Sequence, residues 1–239
     1  MKLIPVIFIA FLLSLAKPGL GQGFTNLDFE SAILVPVPDD PYGAVQFSEA
    51  FPGWTESHGG FDPNALYNNV FLDSAGFSIV DHDWTNSSGY DLIHGGFIDG
   101  NYTAILQAGY GSSGMPTDVS LSQTGLVPAG MQSLRFDAFQ TVDAGTPVIP
   151  LQVTLDGLPL PLVAISNRLN STVYGADISA WQNQTAQLTF TVIAENPHVG
   201  NQYLYLDAIQ FSIQPVPETG TFALTVLGAL LLGFQRRQS

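Results

Sequence analysis

The sequence contains no cysteine among its 239 residues. Disulfide bonds, thiol nucleophiles and cysteine-based metal sites are therefore excluded. Stability must come mainly from the burial of apolar side chains, and 46% of the residues are apolar. This length and composition predict one large core, in a single domain of about 200 residues.

Basic residues are also scarce. Six Lys and Arg residues stand against 20 acidic residues, which gives a formal net charge of −14. Outside the chain ends only Arg135 and Arg168 remain. Such a surface repels phosphate groups, so we expect no nucleic acid as a partner. It suits calcium, neutral glycans or simple solubility, and these three remain open.

Local catalytic motifs are absent as well. The patterns G-x-S-x-G and H-E-x-x-H do not occur. The segment Asp81-His82-Asp83 combines acidic and basic groups, but in a strand His82 would face away from the two carboxylates. We predict a solvated loop there and a protein that is not an enzyme. Carboxylates that meet only in the fold keep a secreted carbohydrate-active hydrolase open as an alternative.

The N-terminus has the pattern of a secretory signal peptide over residues 1–21. Lys2 precedes an apolar run over residues 3–16, and Gly19 and Gly21 follow at small-x-small spacing. Signal peptidase requires small residues at these two positions. We therefore predict export, with cleavage after Gly21.

The C-terminal segment, residues 214–239, has three parts. Residues 222–234 form an uncharged apolar run, and Arg236 and Arg237 close it. A helix that is apolar on every face must be buried, and the arginine pair favours the cytoplasmic side of a membrane. We predict a single short transmembrane helix over residues 222–234 with a basic tail. The motif before the helix is Val216-Pro217-Glu218-Thr219-Gly220.

This arrangement resembles the PEP-CTERM sorting signal of Gram-negative bacteria. The resemblance implies an exosortase-type membrane peptidase as processing partner, with delivery from the membrane to the cell surface or extracellular matrix. The third motif position is usually proline in that family, and here it is Thr219. With this threonine the motif is also similar to the LPxTG signal of sortase-anchored wall proteins, which is the alternative.

Residues 23–213 carry the strand signals of the ectodomain. Apolar residues alternate with polar ones over 151–155 and 188–192, and Asp156-Gly157 indicates a tight hairpin turn. The last predicted strand, 203–211, places Tyr203, Tyr205, Asp207, Ile209 and Phe211 on one face and Leu204, Leu206, Ala208 and Gln210 on the other. Pro159 and Pro161 place the returning strand at a sheet edge. Further strands are predicted over 24–30, 65–72, 77–80, 103–107, 119–123 and 133–139. Many short strands between Gly, Pro, Asn and Asp clusters predict an all-β jelly-roll sandwich.

Short motifs frame this domain. It opens with Asn26-Leu27-Asp28-Phe29-Glu30, continues with Pro52-Gly53-Trp54, and closes with Leu206-Asp207-Ala208-Ile209. This framing resembles galactose-binding-like jelly rolls, including carbohydrate-binding modules. The resemblance implies a structural calcium between the first and last strands, with Glu30 and Asp207 as ligands. The alternative is that backbone donors satisfy both carboxylates.

Four aromatic residues in loop-like segments are candidates for stacking on sugar rings. They are Trp54, Trp84, Tyr90 and Tyr110. For Trp54 the alternative is a place in the core.

The sequence thus predicts an exported, membrane-tethered or exosortase-processed surface protein with a non-catalytic binding domain. An adhesive or structural role and binding of extracellular polysaccharide are both compatible with these patterns.

Overall fold

The computed structural model of the protein describes residues 23–60, 64–84, 97–143, 147–195, 197 and 200–217. Fourteen strands occur in these residues, with a four-residue helix α1 (Phe47–Ala50) and a 3₁₀ turn (Ser179–Trp181). The strands are β1 (Ala44–Gln46), β2 (Thr55–Ser57), β3 (Asn64–Tyr67), β4 (Gly76–Val80), β5 (Thr103–Tyr110), β6 (Pro116–Thr117), β7 (Val119–Leu126), β8 (Ser133–Val142), β9 (Gln152–Leu155), β10 (Leu158–Pro159), β11 (Val163–Asn167), β12 (Thr172–Asp177), β13 (Thr185–Val192) and β14 (Gln202–Ser212).

The strands form two sheets. The large sheet has the order β1-β3-β4-β5-β14-β8-β12-β11, with β6 paired to β5 beside this path. The small sheet has the order β10-β9-β13-β7-β2. Neighbouring strands are antiparallel except β3 and β4, which run parallel. The predicted hairpin at Asp156-Gly157 is confirmed, and β10 lies at a sheet edge as its proline requires.

The core lies between the two sheets. Leu188, Phe190 and Val192 alternate along β13 and are all buried. Phe190 meets Phe136 of the large sheet edge to face, with ring centroids 5.1 Å apart. Aromatic pairs in this geometry add stability beyond the area that they bury. The predicted all-β sandwich is therefore confirmed.

The face of the large sheet away from this core, here called the outer face, also carries buried side chains. Tyr203, Tyr205 and Asp207 of β14 are at most 3% exposed. A β-bulge follows, because the register to β8 shifts between Asp207 and Gln210, and Ala208 has a φ of 48°. The bulge turns Ile209 into the main core. The predicted strict alternation, with Ile209 on the face of Asp207, is wrong for this reason.

The predicted strand over residues 24–30 is also wrong. This segment consists of turns, and Asn26 and Phe29 both have positive φ. It nevertheless lies beside the last strand, because Ile209 N donates to Leu27 O at 3.0 Å. The two ends of the domain are therefore neighbours although only one is a strand.

The chain leaves the sandwich over the outer face near β8 and β12. Ser133 Oγ donates to Gln214 O at 2.7 Å, and Arg135 Nη2 donates to the carbonyls of Gln214 and Pro215. A Cβ atom at Gly175 would lie 3.4 Å from Val216, so the tail passes close over β12. The residues before Pro217 are thus attached to the sheet.

The predicted signal peptide, and the predicted sorting segment from Glu218 onward, lie outside the described residues. They include Gly19, Gly21, Glu218, Thr219, Gly220, the run 222–234, Arg236 and Arg237. Within the described ranges, no helix combines the length and apolar character needed to cross a bilayer.

Candidate functional site

The predicted aromatic residues do not share one surface. Trp54 is 6% exposed, stacks on Phe29 at 5.8 Å and donates from Nε1 to Asn26 O at 2.9 Å. It is a core residue, so its assignment to an exposed glycan platform is wrong. Trp84 is half-buried against the outer-face cluster that contains Tyr205. Tyr110 is half-buried at the end of β5, and Tyr90 lies outside the described residues.

Glu30 and Asp207, the two carboxylates expected at a calcium site, flank one segment of the chain. Glu30 accepts hydrogen bonds from Asn101 N at 2.6 Å, Asn101 Nδ2 at 2.5 Å and Tyr102 N at 3.1 Å. Asp207 accepts from Thr103 Oγ1 at 2.8 Å and Asp99 N at 3.3 Å. The two carboxylates that the resemblance pairs therefore lie near the same segment, although they are distant in sequence. Each of them already accepts hydrogen bonds from several N–H or O–H groups of the protein.

Burial changes the acidity of this region. Because burial disfavours the charged form, it raises the pKa of Asp207 to about 7. Burial also raises the pKa of Asp137, although Arg168, whose Nη1 lies 3.0 Å from its Oδ2, acts in the opposite direction. Asp137 and Asp207 are cross-strand neighbours, and both are 1% exposed. A substrate cannot reach this pair, so it does not serve the hydrolase alternative.

The calcium ion remains a prediction, with a direct test. In the part of the chain that the structure describes, no three His, Asp or Glu side chains are grouped as a metal site. If Glu30 binds calcium, the ion should raise the melting temperature relative to chelator, and Glu30→Gln should abolish this difference. An identical midpoint in both buffers, read by circular dichroism, would remove calcium from the description.

The predicted solvated loop after β4 is observed. His82 and Asp83 have side chains that are 72% and 79% exposed. Asp81 instead accepts hydrogen bonds from Tyr67 Oη and, at 2.8 Å, from Asn68 Nδ2. The hydrogen bond to Asp81 raises the pKa of Tyr67 to about 12. Asp81 thus holds β3 and β4 together, and the three residues do not form one acid–base site.

A pocket of about 480 Å³ lies at the β1–β3 edge of the large sheet. Ala44 of β1 pairs with Leu66 of β3, and both line the pocket. Their neighbours Val45 and Ala65 point into the main core, so Ala44 and Leu66 face outward. The other lining residues come from the loops before β1 and between β3 and β4, and from His58; they are Asp40, Tyr42, Asn64, Asn69, Val70, Phe71, Leu72, Ser74 and Ala75.

The loop before β1 is held in shape by Asp40. Its Oδ1 atom accepts from Tyr42 N at 2.8 Å and from Ala44 N at 3.0 Å. A side-chain oxygen that bonds the backbone two residues ahead is typical of an Asx-turn. Tyr42 lies at the turn and is 66% exposed. The turn therefore presents an aromatic ring and a carboxylate at the mouth of the pocket.

The loop between β3 and β4 forms the opposite wall. Asn69 ties the two loops together, since its Nδ2 donates to Tyr42 O at 3.0 Å. Phe71 lies over Gly76, where a Cβ atom would come within 2.3 Å of the ring. Glycine at this position permits the close approach of the ring to β4. Leu72 is 78% exposed at the rim.

Polar groups are few in this pocket, and their hydrogen bonds differ. His58 is 3% exposed and its Nδ1 lies 2.5 Å from Glu56 Oε2. Neither Asp40 Oδ2 nor the side-chain amide of Asn64 is hydrogen-bonded to the described residues. Apolar walls with a small number of polar groups are typical of small-molecule sites. Asp40 and Asn64 therefore keep hydrogen-bonding capacity that a ligand could use.

Sequence reasoning missed this pocket. Asp40, Tyr42 and Asn64 carry no motif, and Phe71 falls in the predicted strand over 65–72, whereas the observed strand ends at Tyr67. The available signal was Asp40-Pro41-Tyr42-Gly43, in which turn-forming residues surround one aromatic residue. That signal indicates an exposed ring but not the second wall, which the chain supplies more than 20 residues later.

No family model and no curated protein matches the chain, but solved structures with a similar fold exist. One of them is that of TmCBM61 in complex with β-1,4-galactotriose, to which the chain is 14% identical. The match covers 80% of this chain and 99% of that chain, with a TM-score of 0.40.

Proposed function

We propose that the protein is a non-catalytic, glycan-binding jelly-roll module of an exported surface protein. The observation that carries this proposal is the pocket at the β1–β3 edge, where exposed Tyr42 stands beside Asp40 and Asn64. A pyranose ring has an apolar C–H face and a rim of hydroxyl groups. An aromatic ring suits the former, and a carboxylate and an amide with free acceptor or donor capacity suit the latter.

Hydrogen bonds within the protein hold the two loops of the pocket in place. The hydrogen bonds to Asp40 Oδ1 fix the turn, and Asn69 ties it to the facing loop. A site that is already ordered loses little conformational entropy on binding. This favours a binding role, for which affinity depends on shape and on a few oriented polar groups.

The first prediction concerns Tyr42. Replacement of Tyr42 by Ala should weaken binding of a recognised oligosaccharide about tenfold, because the apolar stacking surface is lost. Binding is measured by a glycan array that includes β-1,4-galactotriose, followed by calorimetry with the best ligand.

The control is Leu169→Ala, which shortens a side chain that is 97% exposed at the opposite side of the large sheet. Neither exposed substitution should lower stability by more than about 0.5 kcal/mol. Equal affinity of Tyr42→Ala and the parent chain would show that the pocket is not the glycan site.

The second part of the proposal is export and membrane attachment. It rests on the signal-like N-terminus, the motif around Pro217-Glu218, the apolar run 222–234 and the final arginine pair. The attached tail leaves over β12, six strands from β1 in the order of the large sheet. At a strand spacing of about 4.8 Å this is a lateral separation of about 29 Å. A tether at the tail therefore leaves the pocket unobstructed.

Mass spectrometry of the mature protein's two ends tests this part. We expect the mature chain to begin at Gln22 because Gly19 and Gly21 suit signal peptidase. Co-expression with an exosortase-type peptidase should shorten the C-terminus to a position near Pro217-Glu218, whereas a sortase should cut after Thr219. An intact chain of 239 residues in a membrane-free fraction would contradict both export and attachment.

A further inference from the structure

The charge around the pocket indicates which sugars it accepts. Among the lining residues that the structure describes, Asp40 is the only formally charged side chain other than His58. His58 Nδ1 lies 2.5 Å from Glu56 Oε2, so the ionised carboxylate of Glu56 would balance a protonated imidazole. Asp39 precedes Asp40 and adds a second carboxylate to the same loop. The net charge of the pocket is therefore negative.

The arginine side chains of the described residues are far from this pocket and already engaged. Arg135 lies on β8, five strands from β1, which is about 24 Å at a spacing of 4.8 Å. Its guanidinium donates to the carbonyls of Gln214 and Pro215. Arg168 Nη1 lies 3.0 Å from Oδ2 of Asp137, which is on β8 like Arg135. The separation is several times the Debye length of about 8 Å at physiological salt, so neither arginine offsets the field at Asp40.

Asp40 is also oriented for a ligand. Both backbone donors bind Oδ1, which leaves Oδ2 without a hydrogen bond from the described residues. A carboxylate held in this way accepts an N–H from an ammonium group in a charge-assisted hydrogen bond, which is stronger than one from a hydroxyl group. Tyr42 provides the ring surface beside it.

We propose that the pocket selects amino sugars, binding a hexosamine through its free ammonium group at Asp40 Oδ2, and rejects uronic acids. This inference rests on the proposed glycan-binding function and narrows its ligand class. The ring stacks on Tyr42, and Asn64 takes a hydroxyl group. A uronate in the same position would place two carboxylates together without a cation to separate them.

The test compares three forms of one sugar. Calorimetry uses trisaccharides with the same linkage that carry a free amine, an N-acetyl group or a uronic carboxylate. At low salt we expect the amine form to bind about five- to tenfold more tightly than the acetylated form, and the uronate to bind most weakly. The difference should shrink in 0.5 M salt, because the site is open to solvent.

Two substitutions separate local recognition from the general negative charge of the chain. Asp40→Asn keeps an oxygen for the turn and removes the charge, so it should abolish the amine preference, with the amine and acetylated forms then binding equally tightly. Asp177→Asn is the matched control, because Asp177 is exposed and its Oδ1 also accepts from a backbone N–H, that of Ser179. Asp177→Asn should prefer the amine form over the acetylated form as strongly as the parent chain does.

Each alternative outcome is distinguishable. If the amine and acetylated forms bind equally and Tyr42→Ala weakens both, the glycan-binding function stands and the inference of amine selection is wrong. If the amine preference persists in Asp40→Asn, it reflects the overall charge of the chain, and the inference is again wrong. If Tyr42→Ala changes the binding of none of the three, the proposed function itself fails.

Discussion

Replacement of Asp207 by Asn is expected to flatten the dependence of stability on pH between about 4 and 7. Burial raises the pKa of Asp207 to about 7 from the usual aspartate value of 3.8. The native state therefore holds this proton over a range in which the unfolded chain has lost it. The parent protein should be most stable near pH 4 and lose up to about 4 kcal/mol as the pH rises through 7, at about 1.4 kcal/mol per unit.

Urea unfolding at several pH values, in buffer with chelator, measures this slope. Asp137 lies across the strand from Asp207 and its pKa is also raised by burial, so Asp207→Asn should retain a smaller slope of the same sign. The contribution of Asp81 to the dependence of stability on pH has the opposite sign. Although burial raises its pKa, the hydrogen bonds from Tyr67 and Asn68 outweigh this and lower it, so its contribution is lost only as the pH falls below about 4.

Asp177→Asn again serves as the control, because its side chain is exposed and it should keep the slope of the parent chain. Equal slopes for Asp207→Asn and the parent chain would mean that Asp207 is ionised in the native state at pH 5. Its environment would then contain water or a cation that stabilises the charge.

Replacement of Trp54 by Ala should destabilise the fold by about 3–5 kcal/mol without a specific effect on glycan binding. The indole is 6% exposed and packs between Phe29 and Phe190, and its Nε1 donates to Asn26 O. Truncation leaves a cavity between the sheets and removes the shorter of two hydrogen bonds to Asn26 O, which also accepts from Phe29 N at 3.5 Å. Urea unfolding gives the loss of stability, and calorimetry under conditions where the variant is folded gives the affinity.

Trp54→Phe separates the contribution of aromatic packing from that of the indole hydrogen bond. It keeps an aromatic ring in the core and removes the indole donor, so the loss should be smaller, about 1–3 kcal/mol. A folded Trp54→Ala protein that no longer binds the sugar would instead support the sequence-based assignment of Trp54 to the glycan site.

Local sequence patterns predicted most strands of the domain. Over 77–80, 133–139 and 188–192 the predicted strands coincide with β4, β8 and β13 within a few residues. The Asp156-Gly157 turn was predictable because both residues adopt positive φ, with values of 50° and 73°. Such features depend on residues that are close in sequence, and their pattern is visible without the fold.

The predictions that failed depend on contacts between distant residues. The alternation along β14 changes at Ala208, where the strand pairs with β8 on one side and Ile209 bonds to Leu27 on the other. The segment 24–30 has apolar residues at strand-like spacing, but its turns place Phe29 in the core. Tertiary packing overrides a weak local preference in both places.

Composition and the order of apolar and polar residues were sufficient to establish a cysteine-free, acidic, two-sheet β-sandwich, since burial of alternating side chains follows from the strand period alone. The place of the candidate site was decided by the tertiary structure. Asp40, Asn64 and Phe71 meet only because β1 pairs with β3 and the following loop folds over that edge. The spacing of residues along the chain does not predict this pairing, because strand order within a sheet is set by contacts between segments that are far apart in the chain.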